Sequence, residues 1–147
     1  MKIAIGSDHA GLALKNRVRD RLRECGHAVE DAGTHAPDSC DYPDFAHAVA
    51  AAVQHGEVDR GILVCGTGLG MSMAANRHHG IRAALCNDLY AARMGRAHND
   101  ANVLCLGARI VAPEYALEIV GVFLREPYEG TRHARRVAKI ELPGDRS

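Results

Sequence analysis

Short β-rich runs alternate along this chain with longer stretches in which apolar positions recur every three or four residues. The short runs cover 3–6, 28–32, 61–65, 81–86 and 102–106. Between the first two, Leu14, Val18 and Leu22 recur among Lys15, Arg17, Arg19 and Arg21, the stripe of an amphipathic helix that should stop near Gly26. Further helices are predicted over 45–54, from the glycine-rich segment after residue 65, over 89–97, and from Pro113, a residue suited to a first helical turn. Strands and helices in this alternation predict βαβ units, and so an α/β fold with five parallel strands covered on both faces.

After the fifth helix, Pro127-Tyr128-Glu129-Gly130 breaks the pattern, and Thr131 is placed to cap one more helix reaching about residue 140. Arg132 and Arg136 share one face of it, while Val137 and Ile140 form only a small apolar stripe. So little apolar surface predicts either a solvated basic tail or a segment that docks on a neighbouring subunit or an anionic ligand.

The chain has 147 residues and no composition break, repeat or low-complexity linker, which predicts a single domain over 1–147. Formal net charge is zero, so the overall electrostatics call for neither nucleic acid nor a membrane surface as partner. Five cysteines, odd in number and without C-x-x-C pairs or histidines at zinc-ligand spacing, predict a reducing, cytoplasmic setting and no metal centre. The chain opens directly on a strand-like run and carries no apolar run of spanning length, so neither a cleavable signal nor a membrane span is expected.

In open parallel sheets, ligands sit outside the carboxyl ends of the strands, and the residues following each strand can be collected as one candidate site. The first strand delivers Asp8 and His9, the third Cys65 with Gly66, Thr67, Gly68 and Gly70, the fourth Asn87 and Asp88, the fifth Arg109. Cys65 passes straight into the glycine-rich turn, where backbone N–H groups approach a ligand closely, and a thiol held there should give up its proton more readily than free cysteine. The turn lacks the G-x-G-x-x-G spacing of dinucleotide folds and the Gly-Lys-Ser/Thr ending of a P-loop. A small phosphorylated molecule held by loop amides and arginines fits the parts that remain. His98, Asn99 and Asp100 precede the last strand, at the opposite sheet edge, and would reach that site only from a second subunit.

Simpler readings accompany several of these residues. Asp8 taken alone reads first as a helix cap. Cys65 alone reads equally well as a buried cysteine behind a tight turn, Cys105 as core. His27, His35, His47, His55, His78 and His79 show no shared spacing and read as surface residues without a role.

Five segments nevertheless occur together and in order: Gly6-Ser7-Asp8-His9-Ala10-Gly11, Asp41-Tyr42-Pro43-Asp44, Cys65-Gly66-Thr67-Gly68-Leu69-Gly70, His98-Asn99-Asp100-Ala101-Asn102 and Glu129-Gly130-Thr131-Arg132-His133. Together they resemble the type B ribose-5-phosphate isomerases, a family that also includes allose-6-phosphate and galactose-6-phosphate isomerases. The resemblance implies a three-layer Rossmann-like sandwich of strand order 2-1-3-5-4 with an extra C-terminal helix over about 131–140. It further implies homodimers or dimers of dimers with the active site between subunits. The implied reaction opens the sugar ring and moves a proton between C2 and C1 through an enediolate, without metal or organic cofactor.

By the same resemblance Cys65 is the base, the amides from Gly66 through Gly68 to Gly70 hold the enediolate oxygen, and Thr67 relays a proton. Asp8 and His98 correspond to groups implicated in ring opening, and Asn99 to a holder of sugar hydroxyls. His9, Arg109, Arg132, His133 and Arg136 correspond to phosphate-binding positions. One branch of the family has a glutamate base where this chain has Met71, which leaves the role to Cys65. Thr131 stands where many members have glycine and is expected only to cap the helix. The alternatives to a ribose-5-phosphate isomerase are a six-carbon sugar-phosphate isomerase or a non-catalytic sugar-phosphate binding module.

Overall fold

The computed structural model describes residues 1–142. Five strands, β1 (Lys2–Ser7), β2 (Ala28–Asp31), β3 (Arg60–Cys65), β4 (Ala83–Leu85) and β5 (Val103–Gly107), form one parallel sheet in the order β2-β1-β3-β5-β4. The expected topology is the observed one. The order reverses between β1 and β3, so the chain diverges to either side of these two strands and opens a crevice at their carboxyl ends.

Alternation along the strands divides the core in two. Ile3, Ile5, Ile62, Val64, Leu104 and Leu106 face α1 (Leu12–Glu24), α4 (Leu89–Ala97) and α5 (Pro113–Arg125). Ala4, Leu63, Cys65, Val103 and Cys105 face α2 (Tyr42–Gln54) and α3 (Leu69–Ala75). With both faces covered, the strands need no wet side, which is why they read as short apolar blocks. Pro113 opens α5 as expected, and Pro43 lies in the first turn of α2, which begins three residues earlier than its apolar periodicity indicated. Asp88 caps α4, accepting the Ala91 N–H at 2.7 Å.

The C-terminal segment departs from expectation. Instead of one helix to residue 140, a 3-10 turn (Thr131–His133) leads into a single helical turn, α6 (Ala134–Val137). Thr131 does not cap it. Gly130 occupies the cap position, and Thr131 sits at φ 44°, the left-handed region that a β-branched residue seldom enters. That accounts physically for a position where glycine is the easier residue. Among the described residues no helix is long and apolar enough to cross a membrane.

Candidate active site

Cys65 ends β3 and lies on the α2/α3 face, buried, with its sulfur accepting the Gly68 N–H at 3.0 Å. That bond is worth more to a thiolate than to a thiol, because a hydrogen bond to an ionised acceptor is the stronger one. The turn can close this tightly only because of Gly68, whose φ is +79° and where a methyl group would lie 2.4 Å from the Leu85 side chain. Gly68 thereby directs its amide at the sulfur. Thr67 is exposed beyond the turn, its Oγ1 accepting from Leu69 N–H at 3.3 Å. The first bond internal to the helix is from Ser72 N–H to Gly68 C=O, which leaves the amides of Gly70 and Met71 without an intrahelical acceptor.

Two side chains close over this turn from other elements. The Arg109 guanidinium lies over Gly66, 3.5 Å from where a Cβ there would stand. The Tyr42 ring covers Gly70, 2.6 Å from the same construction, and remains partly exposed. On the neighbouring strand end, buried Asp8 caps the short 3-10 turn after β1, accepting the Gly11 N–H at 3.0 Å with Oδ1. The capping reading of Asp8 therefore holds, and it fixes the carboxylate at the crevice. His9, beside it, accepts the Cys40 N–H at Nδ1, with the Cys40 thiol 4.0 Å from the same atom.

The predicted residues thus fall into two groups. Asp8, His9, Cys65, the glycine turn and Arg109 gather at the carboxyl edge of the sheet. His98 ends α4 and, with exposed Asn99, precedes β5, which puts both at the amino edge. Glu129 N–H donates to Ala97 C=O at 3.0 Å, which brings Arg132 and His133 to that same edge. The His98 and His133 rings stack there at 4.2 Å, and Arg132 Nε donates to His133 Nε2. Burial, and then the neighbouring His98 and Arg132, hold the His133 imidazole below its ordinary pKa. One strand length, on the order of 15 Å at ~3.3 Å per residue, separates the two groups within a chain. Arg136 is exposed on α6.

The turn carrying His98 is rigidly built. Asp100, at φ 48°, accepts from Arg96 and Arg82 at 2.8 and 2.9 Å, and Arg82 also donates to the Asp100 carbonyl. Met71 is fully buried core.

Tyr42, Cys40 and Glu129 were not among the residues expected at the site. Tyr42 and Glu129 stand in two of the five motifs, without a role implied there. Cys40 carried no sequence signal, since its meeting with His9 spans 31 residues of chain.

A family model described as Ribose/Galactose Isomerase matches residues 3–140. The ribose-5-phosphate isomerase B of Escherichia coli is 50% identical over 139 residues, covering 95% of this chain and 93% of that one. Among solved structures, the Clostridium thermocellum ribose-5-phosphate isomerase B superposes with a TM-score of 0.94 at 56% identity, covering 95% of each chain. That of Mycoplasma genitalium, solved with bound ribulose-5-phosphate, gives 0.92 at 45% identity over 95% of this chain and 93% of its own. Matched along nearly its whole length, and carrying its cysteine, glycine turn and carboxylate at one switch-point crevice, the chain belongs to the ribose/galactose isomerase family.

Proposed function

We propose that this chain interconverts ribose 5-phosphate and ribulose 5-phosphate at an active site completed by a second copy of itself. The observation that carries the proposal is the Cys65 thiol, held at the switch point by the Gly68 amide with the Asp8 cap on the adjacent strand end and Arg109 over the turn. Names of relatives at 50% and 56% identity support the choice of substrate.

Apart from cleavage of the ring C–O bond, every step is a proton transfer. Ring opening breaks the ring C–O bond while His98, assisted by Asp8, carries the proton of the anomeric hydroxyl to the ring oxygen. The Cys65 thiolate removes the C2 proton, and the resulting enediolate oxygen is held by amides of the Gly66–Gly70 turn, including the unpaired one of Gly70. Thr67 passes a proton between the two oxygens, and Cys65 returns its own to C1. His9 and Arg109 from one chain, with Arg132, His133 and Arg136 from the other, hold the phosphate; Asn99 holds sugar hydroxyls. Five cysteines, none in a disulfide, fit a reducing cytoplasm.

The test is a purified-protein assay of ribulose 5-phosphate formation, run beside allose 6-phosphate, with kcat/KM for each. A clear preference for the five-carbon sugar is expected. A reversed ratio moves the assignment to the six-carbon branch, and no turnover of either leaves a binding module.

A further inference from the structure

We propose that His98, Glu129 and His133 form a binding site for a borderline-soft divalent cation such as zinc, and that the bound ion blocks turnover by occupying the His98 imidazole. One nitrogen from each ring and one carboxylate oxygen lie within 4.8 Å of one another. Glu129 Oε2 is 3.9 Å from His98 Nε2 and 3.6 Å from His133 Nε2. Ligand atoms about 2.0–2.2 Å from a tetrahedral zinc stand roughly 3.3–3.6 Å apart, so the trio must close by about an ångström, and the stacked His98 and His133 rings must turn out of parallel for their in-plane lone pairs to meet at one ion. Two histidines and a carboxylate with a position left for water or substrate are a known donor set for this ion.

The backbone holds the three donors together before any ion arrives. Glu129 N–H is bonded to Ala97, the residue before His98, and His133 N–H to Gly130, so both chain segments are tied within one residue of a donor or across the turn between two donors. The Arg82–Asp100–Arg96 network fixes the far side of His98. His133 is buried, and a neutral imidazole is the form that binds metal. Arg132, which donates to His133 Nε2 at 3.3 Å, is exposed and swings into solvent when the ion takes that lone pair.

The inhibitory half rests on the role proposed above for His98; the binding half does not. Chelator-treated whole protein is titrated with cobalt(II) as a spectroscopic probe and with zinc against a chromophoric chelator, while the isomerase rate is followed on the same samples. Expected are one site per chain with visible cobalt bands but no thiolate charge-transfer band, and loss of turnover that tracks zinc occupancy and reverses with chelator. Glu129→Gln should weaken binding at least ~10-fold and relieve inhibition in proportion, measured against that variant's own zinc-free rate. A thiolate band, or equal zinc affinity in Glu129→Gln, overturns the site. Binding as expected with an unchanged rate overturns the blockade and with it the role of His98, leaving the site itself standing.

Discussion

Cys65 is one of five free thiols, and environment alone distinguishes it. Burial, with Asp88 nearby, pushes the Cys86 thiol up to about 12, and full burial raises Cys105 well above the ordinary range, so neither forms a thiolate at neutral pH. Cys25 is exposed at the C-terminal end of α1. Cys65→Ala should therefore lower kcat by ~10²–10⁴-fold with little change in KM, while Cys25→Ala leaves turnover as it was. Solvent exchange of the substrate's C2 proton is the decisive measurement: exchange at the wild-type rate in Cys65→Ala would assign the base elsewhere. Thr131 yields a second expectation at this scale. A β-branched residue at φ 44° is strained, and Thr131→Gly should raise the unfolding free energy by roughly 0.5–1 kcal/mol after the larger chain entropy of glycine is allowed for. A lower melting temperature in that variant would show that the threonine makes a compensating contact. The inertness of Cys105 was legible from its apolar neighbours in sequence. The strain at Thr131 was not, because a threonine before a basic helix looks like a cap until its backbone angle is known.

Helix α1 shows where periodicity informs and where it misleads. Leu14, Val18 and Leu22 are buried as their spacing indicates, yet Lys15, grouped with the polar face, is wholly buried. Its Nζ donates to Asp31 Oδ1 at 2.6 Å and to Thr34 C=O at 2.9 Å, and Arg19 donates to the other Asp31 oxygen at 3.0 Å. A polar stripe is predicted to be wet only when nothing folds over it, and here the turn after β2 does. Burial alone would raise the Asp31 pKa, but the hydrogen bonds from Lys15, the Gly33 amide and Arg19 outweigh it, and the net direction is down. A lowered carboxylate contributes stability that is present above its ordinary value of 3.8 and is lost as pH falls through the lower folded value. Asp31→Asn should cost about 3–5 kcal/mol, because it strands a buried ammonium, and should remove this part of the acid sensitivity. Denaturant melts at pH 7 and pH 3 check both; a loss below 1 kcal/mol at pH 7 would mean that Thr34 alone suffices for Lys15. Since Ser7 N–H bonds to Gly33 C=O, and Thr34 N–H to Ser7 C=O, the same ion pair steadies the end of β1, just before Asp8.

At the scale of the whole molecule, the two groups of site residues lie at opposite edges of one sheet. The positions of Asp8 and Cys65 at the switch point were legible once strand order was assumed, since order and parallel direction decide which strand ends are neighbours. That His98 sits at the far edge was also legible, because it precedes its strand. What sequence spacing could not show is that Glu129, Arg132 and His133 join His98 there, a meeting made by the bond from Glu129 to Ala97 across 32 positions of chain. A single chain therefore holds both halves of the proposed site but cannot bring them together. A twofold dimer, in which each chain offers the same surfaces reciprocally, can pair the carboxyl edge of one copy with the amino edge of the other, twice. This predicts complementation. Cys65→Ala and His98→Asn should each be nearly inactive as purified homodimers. Co-expressed in equal amounts, they should regain about a quarter of wild-type activity, because half the dimers are mixed and each mixed dimer carries one intact site of two. Sedimentation of the mixture as dimers with no recovered activity would place both residues in the same chain's site, and a sheet-spanning rearrangement would then be needed to unite them.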